Sequence, residues 1–184
     1  LRLLLLPCIG LQGYHVTAVD IVQAALDAAA SKAAAAGLPP DNPRFILQDI
    51  MQLYAGDSSQ PQSNISTTSS SSSSSSLGMF DMIYDCQVYH ALMKDDSAAQ
   101  AKLPLLLHSL LKPGGLLLML MGNANEPEVG PAVLTGEQLL APLLDAGLVC
   151  VCLRQSRFDS TPYYVNELGK RPLAWWVVLQ HLRC

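Results

Sequence analysis

The chain has 184 residues, half of them apolar and 14% charged, with a formal net charge of −4. That length and composition suit one domain with a sizeable core and exclude a disordered chain. No segment concentrates basic residues, which excludes the electrostatic footprint of a nucleic-acid binder.

In chain order, residues 1–12 (LRLLLLPCIGLQ) form an atypical apolar leader, too short and too broken by Pro7 to span a membrane. It reads as a buried strand or the remnant of a signal h-region, and the absence of a starting methionine reads as an incomplete N-terminus. Residues 13–184 are expected to form the domain proper. The run GYHVTAVD, residues 13–20, predicts a strand over 16–19 that ends on a carboxylate, Asp20. A helix over 21–36 should follow, dense in alanine and stopped by Gly37. In a doubly wound α/β fold an acid at that place hydrogen-bonds the hydroxyls of a nucleotide ribose. As an alternative, Asp20 caps the helix after it. The glycine-rich turn that such folds carry roughly twenty residues earlier has no counterpart, since Gly10 is the only glycine before Gly13.

A second short strand is expected over 45–47, leading to Asp49. Residues 56–78 are a low-complexity insert with eight consecutive serines at 69–76, too polar to offset its ordering entropy and expected to be a disordered surface loop. A third strand over 82–84 ends at Asp85, followed by Cys86, Gln87, Tyr89 and His90. A helix over 98–111 should be stopped by Lys112-Pro113-Gly114-Gly115, which turns the chain into a wholly apolar strand at 116–121. The same Pro-Gly-Gly interruption removes 103–121 as a membrane span. Thr135 and Gln138 make a capping box for a helix reaching about residue 146, with Pro142 expected to kink it. Strands over 148–153 and 175–180 complete the chain. With no helix between them they suggest an antiparallel pair at the sheet's edge, with one of Trp175 and Trp176 in the core.

The five cysteines are Cys8, Cys86, Cys150, Cys152 and Cys184, with no C-x-x-C spacing. An odd set of this kind fits reduced thiols and a cytoplasmic setting. On a regular strand Cys150 and Cys152 would share a face; a buried pair is the expected reading over a metal site.

Four segments in order resemble the class I S-adenosylmethionine-dependent methyltransferases: GYHVTAVDI, ILQDIMQL, FDMIYDCQVYHAL and LLKPGGLLLML. The segment NANEPEVGPAVLTGEQLLAPLLDAGL is similar to the small-molecule branch that includes thiopurine, thiol and tellurite methyltransferases. The resemblance implies a Rossmann-like, doubly wound, mostly parallel sheet with a C-terminal antiparallel pair, its first strand and loop missing or replaced. It implies S-adenosylmethionine as cofactor and a small-molecule acceptor, with neither nucleic acid nor membrane as partner. Asp20 would take the ribose and Ile21 the adenine face; Asp49 would accept the adenine amino group and Ile50 pack on the ring. Asp85 would lie near the cofactor's amino-acid part or the substrate, with capping of backbone amides as its alternative. Tyr89 would line the substrate site. An acidic thiol needs no base, whereas a hydroxyl or amine acceptor would gain from His90; otherwise His90 is a structural residue bonded to backbone. The rival readings are a truncated, inactive protein of the same fold and an NAD-dependent oxidoreductase, although no Tyr-x-x-x-Lys pair supports the latter.

Overall fold

The computed structural model of the protein describes residues 10, 12–53, 78–126, 133–159, 166 and 169–183. Residues 1–9 and 11 of the apolar leader and 56–77 of the serine-rich insert lie outside the described residues.

Strand β1 (Thr17–Asp20) leads into helix α1 (Gln23–Ala35), and Gly37 after it adopts φ 78°. Strand β2 (Arg44–Leu47) returns parallel to β1, with Asp20 opposite Leu47. A 3-10 turn, Ile50–Leu53, follows. Strand β3 (Phe80–Cys86) then enters helix α2 (Val88–Asp95), a short element that the apolar periodicity does not single out. Helix α3 (Ser97–Leu110) is capped by Asp96, whose side chain accepts from the Ala98 and Ala99 amides. Strand β4 (Leu111–Gly122) runs parallel to β3. Helix α4 (Gly136–Asp145) carries the expected Thr135–Gln138 capping box and runs unbroken past Pro142. Strands β5 (Leu148–Arg157) and β6 (Leu173–His181) form the expected antiparallel pair.

The described strands form a two-stranded sheet, β1-β2, and a four-stranded sheet in the order β3-β4-β6-β5. β6 lies between β4 and β5, so β5 is the edge strand. This is the expected α/β, Rossmann-like architecture with a mixed sheet. Among the described residues no strand joins β1 to β3.

The main core lies between the four-stranded sheet and α2, α3 and α4. Leu103, Leu106 and Leu107 meet Leu117, Met119 and Met121, with Leu139, Leu143, Val177 and Leu179 beside them. Ile50 and Met51 pack against the same cluster and bring the end of β2 to it. Trp175 packs there too, its indole N–H donating to the Leu134 carbonyl at 3.0 Å. Trp176 faces a smaller cluster of Cys86, Leu120, Phe158 and Ala174. The two tryptophans alternate as a strand requires.

Two expectations are corrected. Lys112-Pro113-Gly114-Gly115 does not precede the strand but interrupts it: Phe80 pairs with Leu111 and Met82 with Leu116, so the four residues bulge out within β4. Gly114 has φ 86°, and a Cβ on Gly115 would stand 2.9 Å from the Lys112 carbonyl oxygen and 3.1 Å from that of Phe80. Only glycine permits that approach of two backbones. Lys112 bonds Asp81 across the bulge at 2.8 Å, and this hydrogen bond holds the Asp81 carboxyl below its usual value. Cys150 and Cys152 likewise do not lie in simple alternation. A bulge at Val151 sets them opposite Leu179 and Val178, successive residues of β6, and so opposite rungs of different parity. Burial, then the neighbouring Cys152, pushes the Cys150 thiol up. No group of three His, Cys, Asp or Glu suited to a metal occurs among the described residues, and none of their helices is long and apolar enough to cross a membrane.

At the opposite end of the four-stranded sheet from Asp85, the His108 and His181 rings lie 4.1 Å apart, and His181 Nδ1 meets the Leu111 carbonyl at 2.9 Å. Burial, then the His181 ring, lowers the His108 pKa below its ordinary 6.5. Above that value the ring is neutral in both folded and unfolded chains. Below it the unfolded chain binds the proton more readily, so stability is lost as pH falls. The melting temperature of the wild type should therefore drop more than that of His108→Gln between about pH 7 and about pH 5. Thermal unfolding followed by circular dichroism measures the difference.

Candidate active site

Three carboxylates stand at or just past the carboxyl ends of three parallel strands: Asp20 on β1, Asp49 after β2 and Asp85 on β3. Strand ends of this kind present unpaired backbone groups and open onto the crevice where such sheets bind ligands. Each acid is fixed by the start of the helical turn after it. Asp20 Oδ1 accepts from the Val22 amide at 3.0 Å, and Asp49 Oδ1 from the Met51 amide at 2.9 Å. Asp85 spends both oxygens: Oδ1 accepts from Val88 and Oδ2 from Tyr89, each at 2.9 Å.

The difference is chemical. Among the described residues, Asp20 Oδ2 and Asp49 Oδ2 accept no hydrogen bond, so each acid is held by one oxygen and offers the other. Asp85 is buried and engaged as the cap of α2, as its alternative reading has it. Ile21 beside Asp20 is 67% exposed, a large apolar side chain open to cover, whereas Ile50 is half-buried against the main core.

Between Asp85 and α2 stands Gln87, with φ 76°. For a residue bearing a Cβ this left-handed conformation costs about 1 kcal/mol, and the Asp85 bonds to Val88 and Tyr89 hold the turn that imposes it. Tyr89 and His90 follow in the first turn of α2, both completely buried. Burial, then the Asp85 charge, pushes the Tyr89 phenol well above its usual pKa.

His90 Nδ1 accepts the Gly122 amide at 2.8 Å. Strand β3 ends at Cys86, opposite Leu120, and does not reach Gly122. The imidazole therefore serves the last amide of β4 where a strand would have done so. The Gly122 carbonyl is met by the Leu134 amide at 3.0 Å, so the end of β4 is paired by a ring and a returning loop. A base at His90 Nδ1 would have to give up this bond first.

Sequence reasoning did not single out Asn123, which follows β4 and is completely buried. Its signal was available: a polar residue directly after an apolar parallel strand meets the same strand-end rule that selects Asp85.

No protein-family model matches the chain, and no curated protein sequence matches it. Solved structures do match. An S-adenosylmethionine-dependent methyltransferase from Methanosarcina mazei aligns with 96% of this chain and 86% of its own, at TM-score 0.63 and 16% identity. The fold is that of the class I S-adenosylmethionine-dependent methyltransferases. A protein of echinomycin biosynthesis, in which a disulfide bond is converted into a thioacetal group, matches at TM-score 0.65 and 17% identity over 95% of this chain and 70% of that one. Magnesium protoporphyrin IX methyltransferase from Synechocystis PCC 6803, solved with S-adenosylmethionine bound, matches at TM-score 0.59 and 15% identity over 96% and 63%.

Replacing Asp85 with alanine should destabilise the protein by about 2 kcal/mol, because two amides at the start of α2 lose a charged acceptor. Asp85→Asn should fall between, since its amide keeps one acceptor oxygen. Urea denaturation of the three proteins measures the series.

Proposed function

We propose that this protein transfers a methyl group from S-adenosylmethionine to a small-molecule nucleophile, a thiol or similarly acidic group. The observation that carries the reading is the pairing of Asp20 and Asp49 at adjacent strand ends, each anchored by one oxygen with the other unengaged among the described residues. A carboxylate held in this way accepts from hydroxyl and amino donors without first having to be ordered. Asp20 fits the two ribose hydroxyls and Asp49 the adenine amino group. Ile21 fits the adenine face, where its cover would contribute about 1–2 kcal/mol. Ile50 supports the same ring from a position braced by the core. S-adenosylmethionine, when bound, supplies a methyl carbon on a positively charged sulfur, already activated for displacement by a nucleophile.

The chain's own task is then alignment and exclusion of water. Asp85 sets the loop beneath the reacting groups through the α2 amides, and Tyr89 faces the acceptor. His90 acts as a positioning residue through Gly122, which suits an acceptor that ionises without a base. Placement in the thiopurine, thiol and tellurite branch rests on the order of motifs, and the sulfur chemistry of the echinomycin protein agrees with it. The acidic net charge favours a small-molecule partner over nucleic acid. The odd cysteine count without a C-x-x-C spacing supports a cytoplasmic setting.

Calorimetric titration with S-adenosylhomocysteine tests the reading. Binding should weaken at least tenfold, about 1.4 kcal/mol, in Asp20→Ala, with NAD inert. A folded wild type that binds neither would identify an inactive protein of this fold, and binding of NAD alone an oxidoreductase.

A further inference from the structure

The strand ends of the candidate site fall into two halves of different build. Asp20 and Asp49 belong to paired strands. Asp20 stands opposite Leu47, two residues before Asp49, and the Gln48 amide donates to the Asp20 carbonyl at 3.0 Å. Both acids are half-buried, and each keeps one carboxylate oxygen unengaged among the described residues. At the ends of β3 and β4 the polar groups are matched or shut in. Asp85 is 8% exposed and holds two amides. Asn123 is wholly buried, with Oδ1 on the Asn125 amide at 2.9 Å. Glu126 accepts the Leu173 amide at 2.7 Å and meets Arg157 at 3.5 Å.

Charge divides the molecule in the same way. No Lys or Arg occurs at residues 3–31, 45–93 or 113–153, and these stretches contain every residue that joins the carboxyl ends of β1 to β4 to the next element. S-adenosylmethionine brings two unlike parts to such a site. Its nucleoside offers hydroxyl and amino donors, which suit carboxylate acceptors. Its amino-acid tail carries an ammonium and a carboxylate, and each needs an opposite charge or several hydrogen bonds before it can leave water. The amides that begin α2 would suit the tail's carboxylate, but Asp85 already occupies them and its charge repels a second anion.

We infer that the site binds the adenosyl half of its ligand and leaves the amino-acid tail in water, so that adenosine and 5′-methylthioadenosine compete with S-adenosylmethionine on nearly equal terms. The inference rests on the methyl-transfer reading and names the ligand class of that same site: adenine nucleosides with no anionic group on the 5′ carbon. A 5′-phosphate is refused, because it would enter beside Asp20, Asp49 and Asp85 with no cation at these strand ends to meet it.

The test is calorimetric titration of the full chain with S-adenosylhomocysteine, 5′-methylthioadenosine, adenosine and adenosine 5′-monophosphate. The first three should bind within about tenfold of one another, and the monophosphate at least about tenfold more weakly than adenosine. Asp20→Ala should weaken the first three by a common factor of about tenfold or more. If Asp20→Ala fails to fold, the four wild-type titrations still decide. S-adenosylhomocysteine binding more than about tenfold tighter than 5′-methylthioadenosine overturns the inference, as does a monophosphate that binds as well as adenosine. Failure of the folded wild type to bind S-adenosylhomocysteine overturns the methyl-transfer reading instead.

Discussion

Strand β4 is the constraint on which the rest depends. It pairs in parallel with β3 on one side and antiparallel with β6 on the other. Its residues Leu117, Met119 and Met121 are buried beneath α2, α3 and α4, and Leu120 faces the smaller cluster across the sheet. A strand apolar on both faces has nowhere stable to lie except inside such a sheet. It also runs past the end of β3, and that overhang creates the local problem that the candidate site solves. Gly122 presents an amide and a carbonyl toward a strand that has already stopped. His90 and Leu134 meet them. In doing so they bring α2 and the loop before α4 together over the carboxyl ends of β3 and β4.

The three strand-end acids show how one local device serves two purposes. Each accepts an amide from the turn that follows and so sets where the next element begins. A carboxylate that uses one oxygen in this way is both oriented and still able to receive a ligand. One that uses both is a structural cap. Residue type does not distinguish these roles; the number of amides within reach does. The left-handed backbone at Gln87 belongs to the same economy, since the Asp85 bonds on its far side stabilise a turn that Gln87 alone would not favour.

Much of this was legible in the residues. The alternation of strands and helices, the Thr135–Gln138 box and the closing antiparallel pair follow from local chemistry and from periodicity, and they reappear with shifts of a few residues at their ends. Other features were not legible. Lys112-Pro113-Gly114-Gly115 reads as a turn because proline and glycines usually interrupt. Only pairing with β3 shows that the interruption is swallowed within a continuing strand. The bulge at Val151 depends on registry with β6, to which the local sequence of β5 carries no reference. Helix α2 is short, and its start depends on a carboxylate three residues earlier rather than on an apolar stripe.

The sequence by itself determined the class of fold, the order of its elements and the placement of acids at strand ends, because these depend on near neighbours and on a repeating apolar pattern. Tertiary structure alone decided which acid keeps an oxygen for a ligand and which is consumed. It turned His90 from a candidate base into the partner of Gly122. The His90 contact joins residues 32 positions apart, where a hydrogen bond exists only if both backbones have already been brought together by the core.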